Sequence, residues 1–199
     1  MVAALGVFLE KGYRAVRLED VAKRAGVTKP LVYHYFKDKD DLLLRALDWK
    51  IGQVLLEMRT EIEKQTGGAE AKLRYLFDRS WQRWKNPDWG RFHGHLLIEL
   101  SQENPELFRK WMEGALVERW ELVENILVQG QQDGEVRADL NAQAAARFLI
   151  SGGMQIAYLH FHTDLGSFAP CPEGDLRSGV LEVFLAGVRP PANKQGADS

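Results

Sequence analysis

Apolar residues recur every three or four positions along almost the whole chain, and alternating stretches bounded by hairpin dipeptides are nearly absent. This pattern predicts an all-α protein of about nine helices. The first spans Val2 to Lys11, with Leu5, Phe8 and Leu9 on one face and Gly12 supplying a left-handed end. A second runs from Leu18 to Arg24, and Thr28 stands as N-cap of a short third helix with Lys29 and Pro30 in its first turn and its end near Phe36. Asp38 caps a long fourth helix, Lys39 to Lys64, which stops at Thr66-Gly67-Gly68. Further helices are predicted over Glu70 to Trp84, Gly90 to Leu100, Pro105 to Gln132, Asn141 to His162 and Glu173 to Val188. Arg189-Pro190-Pro191 breaks the last one, and residues 191–199 have nothing to bury and are expected to form a disordered tail.

The most specific stretch is Leu18 to Lys37, LEDVAKRAGVTKPLVYHYFK. Val21, Ala25 and Val27 are apolar where the second helix and its turn meet a core, and Ala22 is small where the next helix crosses. Gly26 takes the turn, because a chain that reverses within three or four residues needs a backbone conformation glycine adopts without strain. That is helix-turn-helix geometry. On the third helix Val32, Tyr35 and Phe36 fall at i, i+3 and i+4 and are expected to face inward. The other face is Lys29, Pro30, Tyr33, His34 and Lys37, basic and aromatic at a helix N-terminus, where free amides and the dipole attract phosphate. A second helix of this kind enters the major groove of DNA with its first residues at base edges, which makes Lys29 and His34 the candidates for base contact.

Charge supports this placement. The net charge is −2, but residues 1–48 carry nine Lys/Arg against seven Asp/Glu, and residues 17–39 carry six against three. A small basic head on an acidic body points to a nucleic-acid footprint confined to one end. With 45% apolar and 27% charged residues the chain is an ordinary globular protein, and no apolar run is long enough for a membrane span. The single cysteine, Cys171, excludes a disulfide scaffold, and the start lacks a secretory signal, so a cytoplasmic protein is expected.

Phe8, Gly12-Tyr13, Asp20-Val21-Ala22, Ala25-Gly26-Val27-Thr28, Val32-Tyr33, Tyr35-Phe36, and Lys39 with Asp41-Leu42-Leu43 together resemble the TetR family of bacterial transcriptional repressors. The resemblance covers about the first 48 residues and implies a helix-turn-helix DNA-binding domain over 1–48 and a helical ligand-binding and dimerisation domain over 49–190. It further implies that Tyr33 and Lys39 hold phosphates and that Thr28 caps the recognition helix. Arg17 stands where the family commonly has a capping threonine and can hold a phosphate by charge; Leu31 stands where a polar residue is common and can touch a thymine methyl or pack. Gly134 to Asp139 followed by an alanine-rich helix is the most family-like piece of the body. In the family the last two helices pair with their twins, which makes Ala145, Phe148, Leu149, Gly152, Ile156, Val180, Phe184 and Gly187 the expected dimer interface; the competing reading gives them to the chain's own core.

All six tryptophans lie between Trp49 and Trp120. Tryptophan at helical spacing serves either core or pocket, and the set Trp81, Trp84, Phe92, His93, Tyr158 and His162 is the candidate ligand pocket. The pairs His93/His95 and His160/His162 do not chelate, since residues two apart on a helix point about 200° apart. No metal or cofactor is expected, and no phosphate loop, nucleophile elbow or H-E-x-x-H pair is present. The reading is therefore a non-enzymatic, ligand-responsive regulator, probing a double-stranded operator as a homodimer and released by a small-molecule effector. The alternative is an all-α small-molecule-binding protein or enzyme in which the helix-turn-helix is a packing accident. The exposed face of Lys29, Tyr33, His34 and Lys39 separates the two.

Overall fold

The computed structural model describes residues 1–164 and 170–191. The expected disordered tail lies outside the described residues apart from Pro191. Every regular element among them is a helix, in the order α1 (Val2–Ala15), α2 (Leu18–Ala25), α3 (Lys29–Tyr35), α4 (Lys39–Glu63), α5 (Ala69–Trp84), α6 (Pro87–Arg91), a π-helical turn (Phe92–Leu96), α7 (Leu97–Glu103), α8 (Pro105–Gln132), α9 (Ala142–His162) and α10 (Glu173–Val188). By packing the chain divides into two units. The first holds Met1–Arg59 and Arg83–Arg119, the second Thr60–Gln82 and the chain from Trp120 onward. The head expected at 1–48 lies whole within the first.

In the first unit Phe8, Leu42, Leu43, Ala46 and Leu47 are at most 1% exposed and form the centre of the core. The helix predicted to end at Lys11 instead continues to Ala15 across a kink at Gly12, whose φ of 76° and ψ of 168° no longer belong to a helix. The α2–α3 turn follows the expected rule: Gly26 is left-handed, φ 67° and ψ 28°, and its amide donates to the carbonyls of Ala22 and Lys23. Val21, Ala22 and Val32 are buried, but three inward assignments do not hold. Ala25 and Val27 are exposed, because they sit on the outer rim of the turn rather than under it. Tyr35 is 61% exposed, because α3 ends there and Phe36 is already extended, leaving no following turn to cover the ring.

The single helix predicted over Gly90 to Leu100 is longer and carries a π turn. Asn86 caps it, its side-chain oxygen accepting from the Asp88 amide at 2.9 Å, and Pro87 fits the first turn, where no amide is needed. Farther on, the Leu97 amide donates to the carbonyl of Phe92, five residues back, so one extra residue is held in that turn. Rings crowd around it: His93 lies 4.6 Å from Trp84, 5.2 Å from Trp89 and 4.8 Å from Phe92, and Trp111 stands edge-on to Phe92 at 5.8 Å.

The second unit is closed by its ends. The amide of Arg137 donates to the carbonyl of Val188 at 2.9 Å, and the Ala69 amide donates to Glu135. Asn141 caps α9 through the Ala144 amide at 2.9 Å. Two of the residues expected at a dimer interface belong to this unit's own core: Leu149 and Phe184 are 5% exposed. Helical periodicity sets their neighbours outward instead, Phe148 at 66% and Val183 at 71% exposed. Ala145, Gly152, Ile156 and Val180 are half-buried and Gly187 is exposed.

Across this unit Glu70 receives Arg189 at 2.8 and 2.9 Å and Arg74 at 2.7 and 2.9 Å, and the same arginines reach Glu182. The guanidinium of Arg189, then that of Arg74, pulls the Glu70 carboxyl from 4.5 down to about 2. A depressed carboxyl contributes stability that is present above its unfolded value and lost as pH falls through its folded one. Stability should therefore drop between about pH 4.5 and pH 2. Arg189→Gln should flatten that part of the curve by lowering stability at neutral pH, where the carboxylate is ionised, by the roughly 0–1 kcal/mol an exposed pair contributes, and should leave stability below about pH 2 unchanged. Superimposable melting-temperature-versus-pH curves for the two proteins would show that the network is idle.

Candidate nucleic-acid interface

The outward face of α3 is built as a short platform. Thr28 holds the N-cap position with extended backbone, φ −76° and ψ 148°; its carbonyl accepts from the Leu31 amide at 3.1 Å, while its hydroxyl makes no cap bond. Thr28, Lys29, Pro30, Leu31, Tyr33 and His34 are all exposed. Leu31 and Tyr33, at 43% and 48% exposure, are large apolar surfaces with no cover, and His34 stacks edge-on with Tyr35 at 5.1 Å. Lys37 follows the helix, exposed, its amide donating to Asp41 at 3.2 Å.

One acidic residue that sequence reasoning passed over organises this face. The Glu19 carboxylate of α2 pairs with the Lys29 ammonium at 2.5 Å and accepts the Tyr33 hydroxyl at 3.1 Å. Lys29 lies 5.7 Å from the centre of the Tyr33 ring. The Lys29 partner lowers the Glu19 carboxyl below its usual range and raises the lysine in turn. A carboxylate thus sits between the ammonium and the phenol. Nothing in the helical period marks this residue, since it is ten positions from Lys29 and on another helix.

Lys39 is the second finding. Its ammonium donates to the carbonyls of Tyr13 at 3.1 Å and Arg14 at 3.4 Å and sits 4.3 Å from the Tyr13 ring centre, so it binds the end of α1. Arg17 takes the N-cap position of α2 without a cap oxygen, and Asp20 supplies the reciprocal half by accepting the Arg17 amide at 3.1 Å. The arginine head is left exposed. The structure therefore brings Lys29, Tyr33 and Glu19 into one cluster and places Lys39 in another, beside α1.

The candidate pocket residues fall into two groups. Trp84, Phe92 and His93 belong to the ring cluster of the first unit, where His93 Nδ1 is 3.1 Å from the Trp89 carbonyl. Trp81, Tyr158 and His162 belong to the second. There Trp81 stacks with Phe77 at 5.8 Å, meets Phe161 at 5.6 Å and gives its indole N–H to Glu173 at 3.3 Å, while Tyr158 and His162 are 6.0 Å apart. Two indole groups, Trp111 and Trp120, keep buried N–H donors with no protein acceptor. Among the described residues no three His, Cys, Asp or Glu gather as a metal site, and no helix is long and apolar enough to cross a membrane.

Removing the internal carboxylate tests the α3 platform. Glu19→Gln should raise affinity for any duplex and steepen the salt dependence by about one unit, because Lys29 is released for a phosphate. Anisotropy titrations at several salt concentrations decide it; an unchanged affinity would mean that Lys29 does not meet the backbone.

A family model described as bacterial regulatory proteins, tetR family, matches residues 1–46. The fatty acid metabolism regulator protein of Bacillus subtilis (strain 168) is 30% identical over 150 residues, 74% of each chain. The transcriptional repressor KstR2 of Mycobacterium tuberculosis is 26% identical over 155 residues, 73% of this chain and 72% of that one. Among solved structures, the regulator FadR of Bacillus subtilis in complex with stearoyl-CoA superimposes with a TM-score of 0.76 at 25% identity, covering 94% of this chain and 97% of that one. With its helix-turn-helix, its exposed basic platform and these relatives, the chain belongs to the TetR family of bacterial transcriptional regulators.

Proposed function

We propose that the protein is a homodimeric repressor of the bacterial cytoplasm that holds an inverted-repeat operator with two copies of α3 and lets go when it binds a fatty acyl-CoA. It works by binding alone and catalyses nothing. The observation that carries the DNA half is the exposed face of Thr28, Lys29, Pro30, Leu31, Tyr33, His34 and Lys37 at a helix N-terminus, with Arg17 and Lys39 beside it. An enzyme has no use for such a face, which disfavours the reading of a plain small-molecule binder. One α3, seven residues long, spans only a few base pairs, so two-fold pairing is what gives a site of useful length.

The effector class is supported by the relatives, one a fatty acid metabolism regulator and one crystallised with stearoyl-CoA. One feature of this chain agrees. Each unit carries an aromatic cluster suited to an apolar tail, Trp84, Phe92 and His93 in one and Trp81, Tyr158 and His162 in the other. α4 is the proposed lever, with Lys39, Leu42 and Leu43 at the head end and Ile51, Leu55 and Met58 further along the same unit.

Linkage makes this testable. Emptying a nearly full operator takes a preference of about 5.5 kcal/mol for the DNA-incompetent state, and DNA must weaken the effector by the same factor. Calorimetry with stearoyl-CoA should give lower affinity when a duplex selected by the protein is present, with free coenzyme A and stearate as controls. Equal affinity with and without DNA would sink the switch, and no binding would remove the acyl-CoA assignment while leaving DNA recognition intact.

The dimer face follows from the exposures. Phe148 and Ser151 on α9, with Val183, Ala186 and Gly187 on α10, make an uncovered stripe of apolar and small residues. Val183→Asp should give folded monomers that bind the duplex poorly, whereas Phe184→Asp should unfold the second unit because it puts a charge in the core. Sedimentation and circular dichroism separate the two; an intact dimer in Val183→Asp would move the interface elsewhere.

A further inference from the structure

The hinge of α1 is held by a residue that no DNA-contact reading selects. At Gly12 the backbone takes φ 76° and ψ 168°, a region open in practice to glycine alone, and a fresh helical turn starts at Tyr13. A helix start leaves amides without partners. Here Glu99 of α7, 86 residues away from Tyr13, supplies them: its carboxylate accepts the Tyr13 amide at 2.7 Å and the Arg14 amide at 3.0 Å. The same carboxylate fills the space a Cβ on residue 12 would need, so glycine is required twice over, for its dihedral angles and for its bareness.

Two further observations make this more than a local cap. Residues 13 and 14 are gripped on both sides of their peptides, since the Lys39 ammonium binds their carbonyls while Glu99 binds their amides. The end of α7 adds more ties: Arg14 pairs with Glu103, and Asn104 donates to the Tyr13 hydroxyl at 3.1 Å and to Asp40 at 2.8 Å, while Tyr13 donates to Asp40 at 2.7 Å. The second observation is the π turn at Phe92–Leu96, which packs on α1 just before α7. A π turn holds one residue more than an α turn; without it every α7 side chain would be rotated by about 100° and moved by about 1.5 Å. In the register that includes this extra residue, Glu99 faces Gly12.

We propose that Glu99 is a positioning residue for DNA binding: it touches no DNA, and it sets the α1 hinge whose carbonyls aim Lys39 at the phosphate backbone. The register that brings it there is set by the π turn, within the ring cluster of Trp84, Trp89, Phe92 and His93. Any movement that converts this turn to α geometry withdraws the carboxylate from the hinge.

The test is a double-mutant cycle on the full chain, with the duplex that the wild-type protein selects from a random-sequence pool as the probe. Glu99→Ala should weaken binding about tenfold, the size expected for lost hydrogen bonds to a charged group. It should also flatten the salt slope by about one unit, as Lys39→Ala is expected to do, because the same phosphate contact would be lost. The double variant should bind no worse than Lys39→Ala alone, and hydrogen exchange should quicken at Tyr13 and Arg14 but not in α2 or α8. Glu99→Gln keeps one acceptor oxygen and should fall between; it decides the matter if the alanine variant fails to fold. Glu113→Gln, in an exposed pair with Arg109, is the control. Additive losses, an unchanged salt slope, or faster exchange at the two amides with unaltered DNA affinity would each overturn the proposal.

Discussion

The structure depends on a size constraint at the head. A three-helix unit of some thirty-five residues buries too small a fraction of its surface to hold itself together without help, because that fraction falls with chain length. The solution is the stripe Leu42, Leu43, Ala46 and Leu47 of α4, which is sealed from solvent, together with Phe8 of α1. The head is thereby fused to a longer helix, and it is natural that packing groups it with residues up to Arg59 and with the segment Arg83–Arg119 rather than cutting it off near residue 48. A DNA-reading face built on such a shared core inherits the position of whatever the core is attached to.

That inheritance explains the distribution of polar groups. The front of α3 is exposed and held lightly, by one carboxylate shared between Lys29 and Tyr33. The back of the head is held by buried or half-buried hydrogen bonds among Tyr13, Asp40 and Asn104, where burial above all, then the adjacent carboxylate, raises the Tyr13 phenol and keeps it a donor. Exposed pairs exchange their partners at little cost, and buried networks resist it. The front of α3 and the seam behind it are thus made from different kinds of bond.

Much of this was legible in the sequence, and the reasons are physical. Gly12 and Gly26 stood out because a left-handed backbone has a residue signature, and both are left-handed in the structure. Helix starts at Thr28 and Asn141 stood out because start signals are local, whereas the start at Asn86 did not: the helix was expected only from Gly90. What escaped depends on partners far apart in the chain. Glu99, Glu103 and Asn104 read as ordinary polar residues at a helix end until the fold brings them to residues 13, 14 and 40. The inward assignments of Tyr35 and Val27 erred because periodicity tells which residues share a face but not where a seven-residue helix runs out of neighbours. Phe184 and Leu149 erred the other way: both are one step from the exposed residues Val183 and Phe148, and a stripe of mixed small and apolar residues has no polar edge to fix its phase.

The π turn shows why such a stretch cannot be read from its own letters. Its sequence, Phe92-His93-Gly94-His95-Leu96, suits an α-helix as well, and the wider turn forgoes good hydrogen-bond geometry for one residue. What offsets that cost lies on both sides of it. Before it, the rings of Trp84, Trp89 and Phe92 close around His93, burying Phe92 and Trp89 almost completely. After it, the shifted register brings a carboxylate to a glycine hinge whose amides would otherwise lack acceptors. The irregular turn thus joins the two: the ring cluster packs on one side of it, and the carboxylate that caps the hinge follows on the other.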